Sequence, residues 1–350
     1  KIMFASEVKV LSPLCTDIFA FPPGHYYDGE GQFISYRNIS EVAEFHHDPI
    51  EKVLVEIRER LIEGVRKRLV ADVPVGYLLS GGLDSSLVCG IAAHVLKKPL
   101  ITFAVGLNKS PIDLPYAKKV ADFIHSEHHE VLFNRDDTLN SVRDVIWHTE
   151  SWDITTVRAS IGMYVVCKYI HQHSKIKVLL TGEVSDEIFG YKYTDFAPSA
   201  AEFQKESAKR IKELHMYDVL RADRCIAAHS LEARVPFADL DFVSYCMAID
   251  PTLKMNTYKM GKYLLRKAFD GMNIVPEEIL WREKAAFSDA VGHSMVDYLK
   301  DHAETLYSDA ELFAASDKYP EATPFTKESL WYRDVFEQFY PGRVALIKDF

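Results

Sequence analysis

Residues 77–88 read YLLSGGLDSSLV, and how this stretch is read decides the fold. An apolar run, VPVGYLLS (73–80), breaks into Gly81 and Gly82 and resumes as the apolar LVCGIAAHVL (87–96). Strand, tight loop and helix in that order make the usual phosphate cradle, because amides at a helix start face an anion. A lysine would complete a Walker-type loop, yet the only charge here is Asp84. A carboxylate repels phosphate unless a cation comes with it. Asp84 is a hard oxygen ligand suited to Mg²⁺ carried in by a polyphosphate.

Working outward, the same alternation continues. VGYLLS, ITFAVGL (101–107), HHEVLFN (128–134) and KIKVLLTG (175–182) read as strands. Helices are expected over 84–96, 115–125, 137–150 and 156–172. Short apolar strands separated by helices predict an α/β fold, a doubly wound parallel sheet with helices on both faces. A helix is expected at 48–70, with Asp48 as cap, Pro49 at the first helical position and a Leu54–Ile57–Leu61–Val65 stripe. Residues 1–40 look β-rich, with FPPGHYY, DGEG and FISY forming a hairpin. From about 191 onward the strand signal fades and a helical layer is expected.

The bulk numbers set limits. The chain has 350 residues, more than one compact core usually holds. A net charge of −10 argues against a broad nucleic-acid face. No apolar run approaches the ~20 residues needed to cross a bilayer, so no membrane partner is expected. Five scattered cysteines without metal-site spacing read as reduced thiols of a cytoplasmic protein. His125, His128 and His129 read as a helix end running into a strand rather than as metal ligands. Lys1 is not an initiating residue, and the chain is expected to be part of something longer.

In open parallel sheets ligands bind beyond the carboxyl ends of the strands. SGGLDSS, GLNKSPID (106–113) and TGEVSDEIFG (181–190) fall on that edge. In the last, Glu183, Asp186 and Glu187 crowd three carboxylates into five residues, which is costly unless they bind metal or react. Asp186 can share Mg²⁺ with Asp84 and leave Glu183 for proton transfer. DITTVRAS (153–160) sets Thr155, Thr156 and Arg158 at a helix start, either an anion clamp or a capped helix with an exposed arginine. Lys284, in WREKAAFSDAVG (281–292), reads on pattern alone as a solvated charge.

These motifs carry a resemblance. SGGLDSS resembles the pyrophosphate loop of the ATP pyrophosphatase superfamily. With TFAVGL, DITTVRAS, GEVSDEIFG, MYDVLRADRCIAAHSLEARVPF (216–237), WREKAAFSDAVG and YPGR (340–343), the chain resembles the synthetase domain of the glutamine-dependent asparagine synthetases, in order from about 40 to 343. FASEVKVL and FPPGHYY resemble the last strands of that family's N-terminal glutaminase (Ntn-hydrolase-like) domain. The resemblance implies a remnant of that domain at 1–40 and a synthetase domain at 41–350, with the ATP-binding sheet at 41–190 and mainly helix at 191–350.

It also implies chemistry: attack of the aspartate side chain on the α-phosphate of ATP, then of ammonia on β-aspartyl-AMP, giving asparagine, AMP and pyrophosphate. In full-length members glutamine supplies the ammonia. By position, Ser80, Gly81, Gly82, Asp84 and Ser85 would hold the pyrophosphate, and Leu78, Val105, Thr181 and Gly182 would line the AMP pocket. Asp84 and Asp186 would bind Mg²⁺. Thr155, Thr156 and Glu187 would serve aspartate or phosphate. Glu183, Arg158 and Lys284 would be catalytic, Lys284 neutralising the α-phosphate. A homodimer remains open.

The sequence departs from the family pattern at Val184, where glycine is usual, at the single Gly190 where a glycine pair is common, and at Ala238 and Ala290. Two other readings are a relative that adenylates a carboxylate and closes a β-lactam ring, and a silent nucleotide-binding relative.

Overall fold

The computed structural model describes residues 2–108, 111–191, 194, 196–283 and 293–346, apart from the side chains of His293, Ser294 and Leu346. Near the start, α1 (Val8–Leu11) is followed by the antiparallel pair β1 (His25–Tyr27) and β2 (Phe33–Ser35). The expected hairpin is therefore present. The FASEVKVL stretch, read as β, contains a helical turn instead. That turn is held by Glu150, which accepts from the backbone N–H of Val8 and Lys9 at 3.0 and 2.7 Å.

The central sheet has the order β5-β4-β3-β6-β7, every neighbour parallel. Its strands are β3 (Val75–Leu78), β4 (Ile101–Leu107), β5 (Glu127–Phe133), β6 (Val178–Leu180) and β7 (Glu232–Arg234). The four apolar strands lie where the sequence reading puts them. β7 does not: its residues, EAR, are polar and pair only along one edge, Val178 opposite Glu232 and Leu180 opposite Arg234. An edge strand needs no apolar run, so it leaves no hydrophobic signal.

Helices cover both faces. α2 (Ile50–Arg68), α3 (Leu83–Leu96), α4 (Leu114–Phe123), α10 (Leu240–Met247) and α12 (Tyr263–Ala268) share one apolar core with Tyr77, Val178 and Leu180. α5 (Arg135–Thr149), α6 (Ile154–His173), α9 (Asp218–Ala227) and the C-terminal helix Lys327–Phe339 build a second core around Phe103, Val131 and Leu179. Further helices include α7 (Ser185–Phe189), α8 (Ala200–Lys212), α11 (Pro251–Lys254), α13 (Glu277–Leu280) and the helix His293–Leu306.

Asp48 does not cap α2. Pro49 occupies that position without a side-chain bond, and Asp48 pairs with Lys52 at 3.0 Å. Chain order leads from β3 outward to β4, while β6 joins on the other side of β3. The carboxyl ends of β3 and β6 therefore flank a switch point, where an α/β sheet opens a crevice.

Candidate active site

Two loops meet in that crevice. After β3 the chain turns through Gly81, at φ +76°, where a Cβ would lie 2.5 Å from the Ala117 nitrogen, so only glycine fits. The loop is braced internally: the Ser80 N–H donates to Ser85 Oγ at 3.1 Å, and the two hydroxyls lie 2.9 Å apart. After β6, Gly182 lies against the first turn of α3, where an added Cβ would come within 2.7 Å of the Ser85 nitrogen. That close approach brings the acidic loop onto the glycine loop.

Between them lies a cavity of about 360 Å³. Of the expected site residues, Leu78, Ser80, Gly82, Asp84, Ser85, Val105, Thr155, Thr181, Gly182, Glu183, Asp186 and Glu187 line it. Gly81 is not among the lining residues. Thr156 and Arg158 are not on it: the Thr156 N–H donates to Asp153, which caps α6, and Arg158 makes a two-pronged pair with Glu328 at 2.8 and 2.5 Å. Lys284 lies outside the described residues.

Charges around the cavity are arranged in opposed sets. Arg221, buried in α9, reaches Glu183 at 3.1 Å and Asp218 at 3.3 Å. Arg282 donates to the Gly81 carbonyl and to Asp113 at 2.7 Å, and its guanidinium lies 3.6 Å from the centre of the Tyr116 ring. Burial raises the Asp113 carboxyl above its ordinary range, against the pull of Arg282. Glu187 is pushed up to about 8, first by burial and then by the negative charges of Asp186 and Asp218. Its Oε2 and the hydroxyl of Thr181 are buried without a hydrogen-bond partner among the described residues. Buried polar atoms facing a cavity without partners are what a polar ligand would satisfy.

Asp84 and Asp186, 102 residues apart, converge on one point, the ammonium of Lys262, at 2.7 and 2.5 Å. Ser185 Oγ donates to Asp84 at 2.7 Å. A magnesium ion fits this donor set: two hard oxygens already face a single cation. Among the described residues no group of three or more acids, histidines or cysteines is arranged to hold a metal alone. An ion that takes one or two carboxylates and completes its shell with phosphate oxygens and water needs no more than that pair.

Sequence reasoning missed Lys262, Arg221 and Arg282. MGKYLLR and VLRADR look like ordinary amphipathic helix, and only the tertiary contact gives those charges a partner. Their burial is a property of the fold; the signals available were the family-like motifs at 216–237 for Arg221 and 281–292 for Arg282, with none at Lys262.

The asparagine synthase family model matches residues 56–200 and 195–348. A probable glutamine-hydrolysing asparagine synthetase of Schizosaccharomyces pombe is 45% identical over 98% of this chain and 66% of its own length. Asparagine synthetase 1 of Saccharomyces cerevisiae is 43% identical over 98% of this chain and 67% of its own. The Gallus gallus asparagine synthetase is 44% identical over 96% and 65%. The chain thus spans about two thirds of the length of the curated relatives it matches. Among solved structures, NMN synthetase from Francisella tularensis is 12% identical over 87% of this chain with a TM-score of 0.35, too slight a likeness to bear on the site. With its glycine loop, acidic loop and α9 arginine all inside the matched regions, the chain belongs to the asparagine synthase family.

Proposed function

We propose that this chain is the synthetase portion of a glutamine-hydrolysing asparagine synthetase, converting ATP, L-aspartate and ammonia to L-asparagine, AMP and pyrophosphate through β-aspartyl-AMP. The observation that carries the reading is the convergence of Asp84 and Asp186 on one cation position, beside a glycine loop, at the switch point of the sheet. In the longer protein the ammonia would come from glutamine, on a preceding domain of which residues 1–40 are the tail. A cytoplasmic location belongs to the same reading. Among the described residues no helix is long and apolar enough to cross a membrane.

The roles follow from position. Ser80, Ser85 and the amides of Gly81 and Gly82 grip the leaving pyrophosphate, with the start of α3 adding its dipole. Leu78, Val105, Thr181 and Gly182 hold the adenylate. Asp84 and Asp186 would hold Mg²⁺, which when bound would supply charge neutralisation on the phosphates. Thr155 and Glu187, both on the cavity wall, receive the amino-acid substrate, while Thr156 lies off that wall and keeps only the role its motif implies. A carboxyl pushed up to about 8 stays largely protonated near neutrality and can donate a hydrogen bond to a substrate carboxylate. Glu183, oriented by Arg221 at 3.1 Å, is the group to take a proton as nitrogen adds to the acyl-adenylate. Lys284 and Arg158 take their roles from the resemblance of WREKAAFSDAVG and DITTVRAS to the family's motifs. Lys284 meets the charge growing on the α-phosphate.

The test is an assay with ATP, Mg²⁺, aspartate and ammonium. Asparagine, AMP and pyrophosphate in equal amounts are expected. ATP consumption without asparagine would favour a carboxylate-adenylating cyclase, and absence of turnover would overturn the reading.

A further inference from the structure

Lys262 has features an ordinary structural lysine lacks. It precedes α12 in a left-handed conformation (φ +58°, ψ +35°), which is uncommon for a residue with a Cβ. The following residues Leu264, Leu265 and Ala268 are locked into the apolar core, and Arg266 Nε donates to the Gly261 carbonyl at 2.7 Å. The backbone is thus fixed on both sides of Lys262. Its side chain, 3% exposed, extends to the two carboxylates at 2.7 and 2.5 Å and to Ser185 Oγ at 2.9 Å. The nearly fully buried Arg266 adds a second positive charge close enough to feel Asp84.

A divalent cation bound by both carboxylates would have to share those oxygens with an ammonium already in contact with them. Without nucleotide, the two negative charges are already answered, and a dication adds repulsion from Lys262 and Arg266. Phosphate oxygens reverse that balance, since they bring negative charge to the metal and an alternative acceptor to Lys262. We propose that Lys262 is a positioning residue that acts as an internal counter-ion to the Asp84–Asp186 pair. It holds the two carboxylates in register and excludes divalent cations until nucleotide brings one in. The inference rests on the metal assignment of the proposed function and adds an order of binding to it.

Mn²⁺ binding to the whole chain, followed by electron paramagnetic resonance with and without a non-hydrolysable ATP analogue, tests it without any turnover. Wild type should bind Mn²⁺ alone weakly and gain on the order of 100-fold in affinity with the analogue, within the usual range of coupling between sites. Lys262→Met and Lys262→Gln should bind nucleotide-free Mn²⁺ about tenfold tighter or more, and with Mn²⁺ affinity in the nucleotide-bound state left as it was, the gain from nucleotide should shrink by the same factor. Lys262→Arg should resemble wild type. A folded Met or Gln variant with unchanged or weaker nucleotide-free affinity overturns the proposal. So does tight nucleotide-free binding by wild type, which decides the matter even if both variants fail to fold. Asp84→Asn separates the two levels. If it leaves Mn²⁺–nucleotide binding untouched, the metal pair itself is misassigned. If it weakens that binding while the Lys262 variants behave as wild type, only the counter-ion role fails.

Discussion

Val184 sits between Glu183 and Asp186 at φ +78° with its side chain buried. A β-branched residue there is strained, and positive φ explains why glycine is the usual family choice. Left-handed backbone without glycine costs about 1–3 kcal/mol. Against that, the buried valine side chain contributes about 2 kcal/mol and glycine would add about 0.5–1 kcal/mol of unfolded-state entropy. Val184→Gly should therefore destabilise by no more than about 1–2 kcal/mol in urea, less than the same change at Val157, which is equally buried but helical. Equal losses at the two sites would show that Val184 carries no strain. His128 makes a second case. It and His129 point to opposite faces of β5: His129 stacks on Phe103, and His128 Nδ1 lies 2.9 Å from Thr102 Oγ1 with Nε2 buried and unpartnered among the described residues. The pair is thus a strand feature, as the sequence suggested. Burial, with Lys118 and His129 nearby, lowers His128 to about 4. A histidine depressed in the folded state takes up its proton more readily when unfolded, so stability is lost as pH falls from about 6.5 towards 4. Because His128 is only partly buried, screening holds the effect to about 1 kcal/mol. His128→Gln should flatten the urea midpoint across that window, and an unchanged slope would exclude His128 as its source.

The contact between the loop after β6 and the first turn of α3 is what makes two distant motifs one site. Gly182 sets their spacing, and a Cβ there meets backbone at 2.7 and 2.9 Å rather than a side chain that could move aside. Gly182→Ala should cost about 1–3 kcal/mol in stability, the usual penalty for overpacking. Its effect on AMP formation should be larger, since a displacement near 1 Å can cost about 100-fold in rate. A variant that melts lower yet keeps wild-type turnover would show that the loop spacing does not govern the chemistry. The same elements show what a sequence can reveal. β3, β4, β5 and β6 are apolar because they are buried, so burial wrote them into the residue pattern. SGGLDSS and TGEVSDE were legible because glycines beside acids at strand ends have few structural uses. β7 was not, being polar and edge-bound. Lys262 was not either: its bond to Asp84 spans 178 positions, and no local pattern distinguishes it from a surface lysine.

Among the described residues two large apolar cores lie on opposite faces of one sheet, with a smaller third cluster around Tyr319, and the site lies at the carboxyl edge of the sheet. The second core is closed by the C-terminal helix Lys327–Phe339, which is tied to α6 through Arg158 and Glu328, 170 residues apart. Glu328 is 3% exposed, accepts both prongs of the guanidinium and also receives the Tyr332 hydroxyl at 2.8 Å. Removing one partner leaves a buried charge unanswered, so Glu328→Ala should destabilise by about 3–5 kcal/mol. Removing both is different, because an apolar pair of similar volume avoids the desolvation that the ion pair must overcome. Arg158→Met with Glu328→Met should therefore return most of that loss in urea unfolding. The double variant also separates the two roles open to Arg158. If the arginine only joins helix to helix, the stable double variant keeps its rate of AMP formation. If it also serves the phosphates, as the proposed function has it, the protein is restored while the rate stays low. Glu328→Gln, which keeps Arg158 and loosens its partner, should then retain more activity than the double variant. Equal activity in the two would remove Arg158 from the chemistry and leave it as the clasp of the second core.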